Sequence, residues 1–284
     1  MSPTFTTLID APRLRQALAG PDAPIVVDTQ FDLANPEAGN AAWREGHVPG
    51  SVYLHLDRDL SGAKSGRNGR HPLPAREDFA RTLGRAGISP ATQVVVVDAQ
   101  SGMYAARLWW MLRWMGHERV AVLDGGVQAW AAAGGALVRD AAQRPALPPY
   151  PATTTTAATV DADTLARTLG AWRLVDARAG ERFRGEVEPL DPCAGHIPGA
   201  SNRCFKDNLD AQGRFKPADL LRREFDALLG HATAERTVHQ CGSGVTACHN
   251  LLAMEHAGLH GSRLYPGSWS EWCADPGRPV ARGG

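Results

Sequence analysis

The sequence lacks excess charge, long apolar runs and paired-cysteine motifs, and each absence excludes a class of function. Thirty Lys and Arg balance thirty Asp and Glu over 284 residues, so the basic footprint of a nucleic-acid binder is missing. The longest apolar runs, such as Val94-Val95-Val96-Val97, fall far short of the roughly 18 residues that cross a bilayer. Residues 1–10 carry neither a basic start nor an apolar stretch with a small-residue cleavage site, so no secretory signal is read and the cytoplasm is the expected compartment. Cysteine is scarce and odd in number: Cys193, Cys204, Cys241, Cys248 and Cys273, none in a CxxC pair. That argues against a disulfide framework and a structural zinc site. His239, Cys241, Cys248 and His249 resemble a metal set only on paper. Cys241 falls in a loop, while Cys248 and His249 point from different faces of a helix. No metal and no cofactor is expected, and the ligand should be small.

What the sequence does contain is the same unit twice. Ile25-Val26-Val27-Asp28 followed by Gly46-His47-Val48-Pro49-Gly50 matches Leu174-Val175-Asp176 followed by Gly195-His196-Ile197-Pro198-Gly199. Further on, Val94–Val97 leads through Ala99-Gln100-Ser101-Gly102 into an apolar helix, as Thr237–Gln240 leads through Cys241-Gly242-Ser243-Gly244 into another. The pairs Ala99/Cys241 and Trp130/Trp272 share an offset of 142 residues. Strands are read at 25–28, 94–97, 120–123, 173–176, 237–240 and 263–265. Helices are read near 12–19, 103–115, 126–133, 162–169, 245–257 and 268–273. Such alternation predicts an α/β chain of two tandem domains, each a mainly parallel sheet flanked by helices on both faces. Pro145, Pro148, Pro149 and Pro151 with Thr153–Thr156 read as a linker, giving domains over 1–140 and 159–284 with 141–158 between them.

Cys241 follows a β-branched run and precedes Gly242-Ser243-Gly244-Val245-Thr246 and a helix. Backbone N–H groups of such a loop converge as an anion nest, and the helix dipole adds about half a positive charge. A sulfur anion there is stabilised, which makes a nucleophile. The other four cysteines read as small buried hydrophobes. Ala99 in the equivalent first-half position predicts one active and one inactive domain.

In these residues the chain resembles the two-domain rhodanese-fold sulfurtransferases over nearly its whole length. Arg107-Leu108-Trp109-Trp110-Met111, Leu123-Asp124-Gly125-Gly126 with Trp130, both His-Val/Ile-Pro-Gly turns and Gly267-Ser268-Trp269-Ser270-Glu271-Trp272 carry the likeness. The loop Cys241–Thr246 is similar to that of 3-mercaptopyruvate sulfurtransferases, whereas thiosulfate sulfurtransferases typically have Arg-Lys after the cysteine. The resemblance implies a double displacement through a Cys241 persulfide. Sulfur would pass from a small anionic donor to cyanide, a thiol or a thioredoxin-like protein. Related phosphatases use a Cys-x5-Arg loop, and Ala247 stands at that arginine position. With no cation at Gly242 or Ser243, a donor with one carboxylate fits better than a thiosulfate dianion. The alternatives are thiosulfate as the main donor, or a sulfur carrier with little turnover on small donors.

The resemblance also assigns residues. Ser243 would relay or stabilise charge beside Cys241, the bland reading being a helix cap. Arg182 would bind the donor's anionic group, against the reading of a solvated surface charge. Relatives usually carry a second arginine where this chain has Leu190, and Arg184 or Arg203 is the expected substitute. His47 is a minor candidate because relatives bring its turn toward the cleft, although such a histidine is more often a structural hydrogen-bonder. Glu45 reads as solvated, and Trp109, Trp110 and Trp114 as packing.

Overall fold

The computed structural model describes residues 4–142 and 144–284, and these form two compact units. One holds the chain up to Ser61, Pro74–Thr156 and Ala211–Arg214; the other holds Gly62–Leu73, Ala157–Asp210 and Phe215–Gly284. The units therefore depart from two continuous stretches at two places. Close backbone packing explains both. A Cβ on Gly69 would lie 2.8 Å from the Gly267 carbonyl oxygen, so residue 69 sits directly on the second unit. A Cβ on Gly213 would lie 2.7 Å from Ser101 Oγ in the first. Hydrophobic periodicity carries no trace of such contacts.

The first unit is a five-stranded sheet of β1 (Leu8–Ile9), β2 (Ile25–Asp28), β3 (Val52–Tyr53), β4 (Val94–Val97) and β5 (Val120–Leu123). Its order is β1-β5-β4-β2-β3 with every pairing parallel. Its helices are α1 (Ala11–Leu18), α2 (Ala38–Glu45), α3 (Arg76–Arg85), α4 (Ala105–Trp114) and α5 (Gly126–Ala132). All four valines of β4 are buried, as a strand covered on both faces requires. Asp10 starts α1 by accepting the Arg13 amide at 2.8 Å, ahead of Pro12 in the first turn. The proline-rich stretch after residue 144 is docked on this unit. The Leu147 and Tyr150 amides donate to the Gly84 and Ala80 carbonyls of α3 at 2.9 Å each, and Tyr150 is buried.

The second unit repeats the plan with β6 (Arg173–Asp176), β7 (Ser201–Asn202), β8 (Thr237–Gln240) and β9 (Arg263–Leu264) in the order β7-β6-β8-β9, again parallel. Thr159 bridges Leu264 in parallel, as β1 does β5. The helices are α6 (Ala162–Arg167), α7 (Gly180–Arg184), α8 (Ala218–Leu229), α9 (Ala247–His256) and α10 (Ser268–Trp272). Val160, Leu165, Leu174, Val238, Tyr265, Trp269 and Trp272 form a core against one face of the sheet. Removing one of these tryptophan side chains would cost on the order of 3–5 kcal/mol. This packing fixes the carboxyl end of β8, from which the Cys241 loop springs.

Candidate active site

Cys241 follows β8 directly and is only 2 % exposed. Its amide donates to Ser268 Oγ at 3.1 Å, and its carbonyl accepts from the Trp269 amide at 2.9 Å. The Gly242 carbonyl accepts from the Ser270 amide at 2.9 Å. The loop is thus stitched to the start of α10 at both residues. Ser268 holds φ +55°, a left-handed conformation unusual for a side-chain residue, and its hydroxyl also donates to the Tyr265 carbonyl at 2.9 Å. Gly244 has φ +76°, and a Cβ there would stand 2.2 Å from the Pro266 carbonyl oxygen. Only glycine lets the chain turn at that point. α9 then begins at Ala247 with Thr246 before it, so its positive end faces the loop.

The first unit shows what this loop shape binds. There the Asp98 carboxylate accepts four amides of its own turn. The Gln100 and Gly102 N–H groups lie at 3.0 and 2.9 Å from Oδ1, and those of Tyr104 and Ala105 at 2.8 and 2.9 Å from Oδ2. An internal anion fills the first nest. In the second unit the residue 142 positions on is Gln240, whose amide group is buried with neither atom bonded. Among the described residues no acceptor meets the amides of Gly242, Ser243, Val245 or Thr246. Among the described residues, those four amides of the second nest are left open to an anion.

A chain of ion pairs runs beside the loop. Arg178 holds Asp176 at 2.7 Å and Glu188 at 3.4 Å, and its guanidinium lies 4.8 Å over the Trp269 ring. Burial opposes the Arg178 charge, but Asp176, Glu188 and the Cys241 sulfur outweigh it and raise its pKa. Glu188 continues to Arg182 at 2.6 Å, and Arg182 reaches Asp191 at 3.3 Å. Asp191 also accepts from Arg70. Burial, ahead of the opposing bond and charge of Arg70, pushes the Asp191 carboxyl up from its ordinary range. Arg70 Nη2 and Arg182 Nη1 both come to rest at Gly242, 2.8 and 3.5 Å from where a Cβ would be. The next residue, His71, places Nδ1 2.8 Å from Ser243 Oγ, and both are buried.

The residues expected from the sequence separate accordingly. Cys241, Gly242, Ser243, Gly244, Val245, Thr246 and Arg182 lie on or beside one loop. Arg184 does not join them: it pairs with Glu186 at 2.7 Å at the surface. Arg203 is likewise elsewhere, bonded to Asn208 at 2.9 Å and Glu224 at 2.7 Å and stacked 4.2 Å over Phe225. His47 is fully buried in the first unit. It stacks on Trp43 at 4.2 Å with its Nδ1 2.7 Å from the Trp43 carbonyl oxygen, the setting of a structural ring. His239, Cys248 and His249 also go separate ways. His239 Nε2 meets Met254 Sδ at 3.0 Å, the Cys248 thiol donates to the Gly244 carbonyl at 3.4 Å, and the His249 ring stacks on Phe215.

Sequence reading missed Arg70, His71, Arg178, Glu188 and Asp191. The one signal for the first pair is the polar, glycine-bearing run Ser65-Gly66-Arg67-Asn68-Gly69-Arg70-His71, which an ordinary surface loop would explain as well.

Comparison with known proteins gives the same reading. The rhodanese-like domain model matches residues 10–133 and 161–275. A probable 3-mercaptopyruvate sulfurtransferase of Pseudomonas aeruginosa is 46% identical, the alignment covering 97% of this chain and 98% of that one. A putative thiosulfate sulfurtransferase of Mycobacterium tuberculosis is 39% identical over 97% of each. The 3-mercaptopyruvate sulfotransferase structure from Escherichia coli superposes with a TM-score of 0.78 at 29% identity, covering 93% of this chain and 99% of that one. With two matched domains and sulfurtransferase relatives aligned over nearly the whole chain, the chain belongs to the rhodanese-like family as a two-domain sulfurtransferase.

Proposed function

We propose that this sulfurtransferase takes its sulfur from 3-mercaptopyruvate and that Cys241 carries it. The observation behind this reading is the Ser243–His71 pair beside Cys241 in a loop whose Gly242 and Ser243 bring no charge. The Cys241 thiolate attacks the donor sulfur, forming the S–S bond as the donor's C–S bond breaks. The electron pair departs on carbon as the enolate of pyruvate. That carbanionic carbon needs a proton, and the Ser243 hydroxyl, backed by His71, is placed to relay one. The open nest of loop amides stabilises the sulfur charge before attack and the persulfide after it. Cyanide, a small thiol or a thioredoxin-like protein then attacks the outer sulfur and regenerates the Cys241 thiolate.

The first unit, with Ala99 at the nucleophile position and Asp98 in its nest, has no part in this chemistry. The five cysteines are free thiols, in keeping with a reducing compartment, the cytoplasm. No helix among the described residues is long and apolar enough to cross a membrane. Steady-state transfer to cyanide from 3-mercaptopyruvate and from thiosulfate, on wild type and Cys241→Ser, tests the reading. We expect kcat/KM at least about tenfold higher with 3-mercaptopyruvate, roughly 1.4 kcal/mol, and no persulfide on the variant. Residual turnover above a few per cent in Cys241→Ser would overturn the mechanism. The two guanidinium groups at Gly242 favour one other donor, thiosulfate, and a ratio reversed in its favour would select it.

A further inference from the structure

We propose that Arg70 and Arg182 together form a carboxylate clamp at Gly242, with Arg70, supplied by the 62–73 segment, as a donor-binding and specificity-setting residue. This rests on the reading of 3-mercaptopyruvate as donor. The argument is geometric. Asp191 accepts from Arg70 Nη1 on one oxygen and from Arg182 Nη2 at 3.3 Å on the other. Each guanidinium is therefore held at one nitrogen, and Arg70 Nη2 with Arg182 Nη1 and Nη2 stand 2.8, 3.5 and 3.7 Å from where a Cβ on Gly242 would be. Glu188 accepts from the same Arg182 Nη2 at 2.6 Å, and Arg182 Nε is buried with no partner. Two planar donors oriented in this way match one carboxylate.

The clamp stands at the residue after Cys241, and the donor carboxyl carbon is three bonds from the sulfur that Cys241 attacks. One arginine thus anchors the donor from α7, and the other from a distant stretch of chain. Gly242 is a condition of the arrangement: a Cβ there would press on Arg70 Nη2 at 2.8 Å. A side chain in the loop and the arginine from outside compete for one place. Leu190, 46 % exposed beside Asp191, brings no charge to it.

Arg70 docks through its backbone, whose N–H donates to Ser270 Oγ at 3.0 Å, so replacing its side chain leaves that anchor in place. The experiment compares wild type, Arg70→Leu, Arg70→Lys, Gly242→Ala and the double variant Arg70→Leu/Gly242→Ala. Each is assayed with 3-mercaptopyruvate and with its uncharged amide, and pyruvate affinity is measured by calorimetry. Arg70→Leu should raise KM for the carboxylate donor about ten- to a hundredfold with kcat within about threefold, leave the amide unaffected and weaken pyruvate binding. Arg70→Lys should recover part of the loss. Gly242→Ala should mimic Arg70→Leu and add nothing on top of it. Wild-type turnover with an unchanged KM in Arg70→Leu, or equal losses on both donors, would overturn the clamp and leave the donor reading intact. A wild type inert toward 3-mercaptopyruvate would overturn the donor reading, and pyruvate affinity would still decide whether Arg70 binds a carboxylate.

Discussion

His71 Nδ1 lies 2.8 Å from Ser243 Oγ, although 172 positions separate the two residues in the chain. Bonded in this way the hydroxyl is oriented and can exchange its proton with the ring, so the two should act as one unit. Ser243→Ala and His71→Gln should each lower kcat with 3-mercaptopyruvate by about ten- to a hundredfold. The double variant should be no worse than the more damaged single one. Multiplying losses in the double-mutant cycle would mean that the residues work independently.

Gly244→Ala tests the turn. It combines a left-handed φ with a Cβ 2.2 Å from the Pro266 carbonyl oxygen, and should cost more than about 2 kcal/mol in urea unfolding. Gly66, at φ +79° with nothing within 4 Å, supplies the control: Gly66→Ala should cost only about 1 kcal/mol. Equal costs would show that crowding at Pro266 plays no part.

Buried ionisable groups give stability an asymmetric pH profile. Burial lowers His117 to about 4 and His239 to about 3. Both stay neutral in the folded protein while the unfolded chain takes up protons below about 6.5, so their contribution is complete above that pH and is lost on acidification. Asp28 works the other way. Burial, ahead of the opposing Gln30 bonds, raises it to about 6 from 3.8, so the folded state binds the extra proton and stability is lost as pH rises from 3.8 to 6. In Asp28→Asn that gain on acidification disappears. Its unfolding free energy should fall relative to wild type by about 2 kcal/mol between pH 6.5 and 4. Parallel curves in urea titrations at the two pH values would refute the assignment.

Asp98→Asn should destabilise the first unit by about 2–4 kcal/mol, since an NH2 group would then face two of the four amide donors that the carboxylate satisfies. Turnover per folded molecule should not change. A drop in kcat without loss of stability would give the first unit a chemical role.

The long strands were legible because β2, β4, β5 and β8 are short β-branched runs bounded by turn residues, and the helix after each carries its own apolar pattern. The two-residue strands β1, β3 and β7 hold too few positions to show a period, and α2, α3, α7 and α8 went unassigned beside them. At the candidate site, the Cys241 loop is legible through Gly244, whose left-handed turn leaves a mark in the sequence, and through Gly242, whose missing Cβ leaves room for Arg70 Nη2. Arg70 and His71 leave no such mark. They reach the loop by the packing of Gly69 on Gly267 and a backbone bond to Ser270, contacts made across 200 residues of chain. Arg184 and Arg203 looked as good on charge alone, and only Glu186, Glu224 and Phe225 beside them show where those charges are used.

The excursion of residues 62–73 into the second unit also sets a timetable for synthesis. The ribosome releases Arg70 and His71 about 170 residues before the loop at Cys241, an interval on the order of 10–30 s at usual elongation rates. During that time the segment has no partner to dock on, while the sheet that precedes and follows it can already close. A nascent chain halted after Arg214 and before α10 therefore has every residue of the first unit but not the α10 backbone to which the Cys241 loop is stitched, so the proposed sulfur loading would begin only when translation is all but complete.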